Sequence, residues 1–161
     1  MEIKPSIHCC YKEHQQRQKL TKNQRIDVCL LIASTDNELK ECFDKYISEE
    51  YKIDDVERLN YMDIGEIARF ILTKFKAKQY ETLKPLFDKV ETLLIDCDSD
   101  TENLIVIGLF ESLQNICGTE TDYHFVFNPW LRPISKEKWD NLIDRWEGNG
   151  WRINKDPNKI F

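Results

Sequence analysis

Between Val90 and Leu131 the sequence contains no lysine and no arginine. Other shortages narrow the fold before that one is interpreted. Five glycines and five prolines in 161 residues leave little material for the many turns of a β sandwich or barrel, and favour helices. No uncharged apolar run reaches half of the roughly 20 residues that a bilayer crossing needs, so no membrane span is expected. The opening "MEIKPSIHCC" places charges where a signal peptide is apolar, which gives a cytoplasmic protein as the expectation. A Gly-rich phosphate loop, a nucleophile elbow and a pair of histidines at helical spacing are all missing, so no catalytic residues and no cofactor are expected. The six cysteines match no zinc or redox spacing and read as small reduced hydrophobes, with Cys42 and Cys117 on apolar faces.

What is present fits one soluble all-α domain. The chain is 41% hydrophobic and 32% charged, enough apolar material for a core and too much for a disordered chain. Residues 1–20 are polar after the first few and read as a mobile arm, 21–148 as a single helical domain, and 149–161 as a tail. "RIDVCLLIA" reads as strand or buried helix, with helix preferred because helical patterns follow it. Three capping patterns come next: Thr35-Asp36-Asn37-Glu38, Asp63-Ile64-Gly65-Glu66 and Ser99-Asp100-Thr101-Glu102. Met62 and Ile67 are spaced as a hydrophobic staple, as are Ile134 and Trp139 around a cap at Ser135. Ile64, Ile67, Ala68, Ile71, Leu72 and Phe75 form one apolar stripe; Leu83, Leu86, Phe87, Val90, Leu93 and Leu94 form another. Trp139, Leu142, Ile143 and Trp146 are expected to face inward from the last helix, which Gly148 stops. "LIVIGLF" (104–110) is apolar on every side, so its helix should be central, with Gly108 admitting a close neighbour. Five or six helices joined by short turns make an antiparallel helical bundle or a short armadillo-like helical stack.

The charge gap is the main functional clue. Residues 90–131 carry eight acids: Glu91, Asp96, Asp98, Asp100, Glu102, Glu111, Glu120 and Asp122. The net charge of the whole chain is −6, so this block holds more than all of it. Such a field repels nucleic acid and attracts basic proteins. A calcium loop starting at Asp96 fails where Gly should be Thr101 and where the bidentate Glu should be Ile107. His8, Cys9, Cys10 and His14 make a poor zinc set, because adjacent cysteines chelate one tetrahedral ion awkwardly. His124, within "YHFVF", reads as a partly buried structural residue. Asp98, Asp100 and Glu102 gain from a helix N-terminus, but that does not account for the rest of the block. The expected partner surface therefore comprises Asp96, Asp98, Asp100, Glu102, Glu111, Glu120 and Asp122. Trp130 is either its apolar anchor or a plug for the core.

The succession "YMDIGEIARFI", "LFDKVETLL", "ENLIVIGLFESLQN" and "WLRPISKEKWDNLIDRWEG" covers Tyr61 to Gly148 and closes on Pro133-x-Ser135, Trp139 and Trp146. It resembles a family of small, acidic, all-helical bacterial immunity proteins encoded near polymorphic toxins, including those of contact-dependent growth inhibition. The resemblance implies a non-catalytic protein that binds a cognate toxin, often a basic nuclease, and neutralises it. The competing expectations are a helical protein–protein adaptor unrelated to toxins and, third, a small enzyme.

Overall fold

The computed structural model describes residues 27–52, 57–118 and 121–152. The expected arm and most of the expected tail lie outside these residues. Among them are six helices and no strand: α1 (Val28–Ala33), α2 (Asn37–Glu50), α3 (Asn60–Lys76), α4 (Leu83–Leu94), α5, and α6 (Pro133–Glu147). α5 is a continuous rod of three segments, α-helical at Ser99–Asn103, π-helical at Leu104–Phe110 and α-helical again at Glu111–Cys117. Backbone angles stay right-handed helical at both junctions, at Leu104 and at Glu111. Short 3-10 turns precede α4 (Tyr80–Thr82) and follow α6 (Asn149–Arg152). No helix among the described residues is long and apolar enough to cross a membrane.

The core sits where α3, α4, α6 and the rod meet. α3 packs along the rod, α1 lies on α3 and α4, and α6 closes over α4 and the rod. The stripes supply it: Ile64, Ile67, Ala68 and Ile71 from α3, and Leu83, Leu86, Phe87 and Val90 from α4, are fully buried. Phe75 and Leu93 are partly buried at its margin. In the rod, Ile105, Leu109 and Phe110 are fully buried, while Val106 and Ile107 pack against the core from its edge. The expected central helix is therefore present, but with i→i+5 bonding in its middle. Gly108 faces Ile64, and a Cβ there would lie 2.7 Å from Ile64 Cγ2.

Several local expectations are corrected. In both α2 and α5 an aspartate, not the neighbouring hydroxyl, takes the cap, so α2 starts one residue later than its pattern suggested and α5 one residue earlier. Asp36 Oδ1 accepts from Leu39 N at 2.9 Å, and Asp98 Oδ1 from Thr101 N at 2.7 Å. The Thr35 hydroxyl instead donates back to Ile32 O at 2.8 Å, closing the end of α1. α3 begins at Asn60, so Asp63 is no cap and Met62 no staple; Met62 is 62% exposed and Asp63 fully buried. α6 begins at Pro133, and Ser135 sits inside its first turn, where its hydroxyl accepts from Arg132 N at 2.9 Å. Trp146 is 63% exposed: the stripe of Trp139, Leu142 and Ile143 reaches it one turn later, where α6 has run past the core. Cys42 is exposed because α2 buries only Leu39 and Phe43 on its inner edge, whereas Cys117 is buried. The start of the expected tail is docked: Trp151 Nε1 donates to Asp144 Oδ1 at 2.8 Å, and Arg152 binds the same carboxylate at 2.7 Å.

Two glycines test this packing in opposite directions. Gly108→Ala must displace Ile64 and should destabilise the protein by about 1–3 kcal/mol. Gly65→Ala, where a Cβ meets nothing within 4 Å, should stabilise it by about 0.5–1 kcal/mol through helix propensity. Urea denaturation of both variants checks the pair, and equal effects would contradict the close approach.

Candidate functional site

Three polar regions are built firmly enough to be weighed as sites. The first is Asp63. Its Oδ2 accepts from Arg58 Nε at 2.9 Å and Nη2 at 2.7 Å, and its Oδ1 accepts from Tyr51 Oη at 2.6 Å and Tyr46 Oη at 3.2 Å. Arg58 also pairs with Asp27, the N-cap of α1. Burial works against the Arg58 charge, but the two carboxylates outweigh it and raise its pKa. The neighbouring Cys29 thiol is pushed up to about 12, first by burial and then by Asp27 and Asp63. Every oxygen of Asp63 is engaged with protein donors, so this cluster is a lock between α1, the end of α2 and the start of α3.

The second region joins the 121–130 loop to the end of α6. His124 Nδ1 lies 2.8 Å from Asp122 Oδ1, and Nε2 lies 2.8 Å from Glu147 Oε2. The Tyr123 hydroxyl donates to Glu147 as well. The imidazole stacks on the Tyr123 ring at 4.5 Å and tilts against Trp151 at 5.3 Å. Its expected part-buried structural role fits this geometry. With both ring nitrogens bonded to carboxylates, the ring has no nitrogen left to offer a substrate.

The third region is the corner between α4 and α5. α4 ends at Leu94, and Asp96 takes a left-handed conformation with φ 51°, which aspartate tolerates better than most residues. Asp98 then caps the rod. Ile95 is 53% exposed, and Asp96, Asp98 and Asp100, which follow it within five residues, are exposed too. Cys97 turns inward against the core. Glu102 faces α6 and pairs with Lys138 at 2.7 Å.

The acidic block of the sequence is thus divided. Asp96, Asp98 and Asp100 share the corner, with Glu102 at its edge. Glu111 is half-buried farther along the rod. Asp122 belongs to the His124 cluster at the end of α6, nine residues and about 13 Å along that helix from Lys138. Glu120 lies outside the described residues. Glu91 turns inward as a cap for α6, accepting from Ile134 N at 2.9 Å and Ser135 N at 2.7 Å. Its burial opposes ionisation, but those backbone donors prevail and lower its pKa. Trp130 is half-buried in an aromatic stack with Tyr80 at 5.4 Å and Phe75 at 6.2 Å. Its rings plug the core from the loop.

The groove between α2 and α3, lined by Leu39, Phe43, Phe70 and Arg69, holds about 170 Å3, below the 300 Å3 or more usual for a small-molecule site. Among the described residues, no three His, Cys, Asp or Glu side chains are grouped to hold a metal ion.

A family profile described as Domain of unknown function (DUF7674) matches residues 29–147, from within α1 to the last residue of α6. The chain belongs to this family. All three polar regions above take most of their residues from the matched DUF7674 span, with Asp27, Trp151 and Arg152 just beyond it. No curated protein and no solved structure matches the chain.

The lock and the corner are separable by mutation. Asp63→Asn removes the buried carboxylate on which Arg58, Tyr46 and Tyr51 converge, leaves Arg58 only its pair with Asp27, and should cost about 3–5 kcal/mol. Asp100→Asn, at an exposed first-turn position, should cost well under about 1 kcal/mol. Thermal unfolding of the two variants measures the contrast.

Proposed function

We propose that this protein is a binding domain of the immunity type, which neutralises a cognate protein toxin, such as a basic nuclease, by docking it on an acidic surface. The observation that carries the reading is the α4–α5 corner, where an exposed Ile95 is followed within five residues by the exposed Asp96, Asp98 and Asp100. An apolar centre with a charged rim is the usual anatomy of a protein interface. Its sign selects a basic partner and speeds encounter through long-range attraction. The corner is held on both sides, by the left-handed Asp96 and by the Asp98 cap, so little ordering is needed when a partner binds. The internal use of both His124 nitrogens and of both Asp63 oxygens supports binding over catalysis. The toxin assignment rests on the sequence resemblance and on the charge.

A helical adaptor unrelated to toxins is the second reading. The observation that favours it is a run of exposed apolar residues at the start of α3, with Leu59 61%, Tyr61 54% and Met62 62% exposed.

Growth rescue separates the two. A toxin domain encoded next to this chain, where there is one, is expressed with and without it, and specific rescue is expected. No rescue would leave the adaptor, to be pursued from Leu59 and Met62. Within the immunity reading, Asp96→Asn with Asp100→Lys should slow association about tenfold and flatten its salt dependence. Both substitutions spare the Asp98 cap and the Glu102–Lys138 pair. Unchanged kinetics would remove the corner from the interface.

A further inference from the structure

We propose that His124 is a proton-operated latch that fastens the Asp122–Phe125 segment to the end of α6. This device is independent of the toxin reading and of the corner. The chain between the rod and α6 is held at two levels. Its far part is anchored by apolar burial, with Phe127 0% and Leu131 8% exposed. Its near part has ring contacts as well, with Phe125 against Trp151 at 5.8 Å and Tyr123 at the margin of the core. Its polar ties are Trp139 Nε1, which donates to Tyr123 O at 3.2 Å, and the bonds that His124 and Tyr123 make to Glu147.

The imidazole is clamped between two carboxylates, one from its own segment and one from α6. With both ring nitrogens protonated, each donates to an oxygen, and one positive charge lies between two negative ones. A neutral imidazole keeps only one N–H. Its other nitrogen would then set a lone pair against a carboxylate at 2.8 Å, and one arm of the clamp must open. The Glu147 arm is the one that crosses to another element.

The other charges nearby do not supply a substitute proton. Trp151 covers the ring from the turn after α6, and Arg152 lies over the Trp151 ring at 4.9 Å, with Lys136 at 6.0 Å. Both cations are already committed, Arg152 to Asp144 and Asp140, and Lys136 to Asp140. The Tyr123 phenol is raised to about 12, first by burial and then by Glu147, so it stays protonated and keeps donating. Burial disfavours the His124 cation, but its bonds to Glu147 and Asp122 outweigh that, and its pKa is raised. Burial likewise opposes Glu147 ionisation, but Tyr123 and His124 prevail and lower its pKa.

The sign follows. The raised histidine contributes stability that is complete below its unfolded value and is lost as pH rises through its folded value. The lowered Glu147 contributes stability that is lost as pH falls through its own folded value. The latch is therefore closed between these limits and opens on the alkaline side.

The test is an NMR pH titration of the full chain. The His124 ring is assigned by its loss in His124→Gln, and the backbone N–H groups of His124 and Phe125 report the loop. The expected result is a His124 midpoint above the ordinary value of about 6.5, with the loop signals shifting at the same midpoint. Glu147→Gln, which keeps the shape of the side chain, should bring both midpoints down together. In His124→Gln the loop signals should be flat through neutral pH. A His124 midpoint at or below about 6.5, or loop signals that do not follow the ring, would overturn the latch. So would an unchanged midpoint in Glu147→Gln.

Discussion

The close approach of α3 to the rod at Gly108 is the constraint on which the rest of the packing depends. A side chain at that position would meet Ile64 Cγ2 at 2.7 Å. Its absence lets two apolar helices share one interior, with Ile64, Ile67 and Ile71 on one side and Ile105, Leu109 and Phe110 on the other. α1 and α4 then lie on the exposed flank of α3, and α6 closes the remaining side with Trp139, edge-on to Phe110 at 5.3 Å. Interiors of this density transmit displacement. The outer elements, including the capped corner, inherit their positions from that one contact.

Acidic residues serve this fold as structural material as well as surface charge. Asp27, Asp36 and Asp98 begin helices by accepting backbone N–H groups, and Glu91 does the same for α6 from another helix altogether. A helix N-terminus carries partial positive charge and free donors, so a carboxylate there is favoured twice. Part of the charge asymmetry of the sequence is thereby taken up inside the fold.

The apolar pattern made much of this legible. Period-3.6 stripes placed α3 and α4, and the run 104–110 identified the central rod because a segment apolar on all sides has to be surrounded. Polar tertiary partners were not legible. Asp63 looked like a cap, since an aspartate ahead of an apolar stripe usually is one; its burial is possible only because Arg58, Tyr46 and Tyr51 converge on it. Glu91 gave no local sign of its role, because the N–H groups it serves lie more than forty residues away. The acidic block was visible as composition, but composition carries no geometry: Asp122 proved to hold His124, which reaches the end of α6 at Glu147, while Glu102 pairs with Lys138 nearer the start of that helix. Trp146 shows the limit of periodicity itself: it gives the direction in which a residue points and says nothing about whether the core extends that far.

The π-helical segment Leu104–Phe110 places more residues in each turn than the α segments on either side. The two halves of the rod are therefore out of phase, and the face presented by Ser99–Asn103 is not continued by the same spacing in Glu111–Cys117. The segment works like a washer on a shaft, fixing the angular setting of everything after it. Relatives that differ by a single inserted or deleted residue here would keep the same core composition, yet would rotate the second half of the rod and carry the 121–130 loop to a different side of α6.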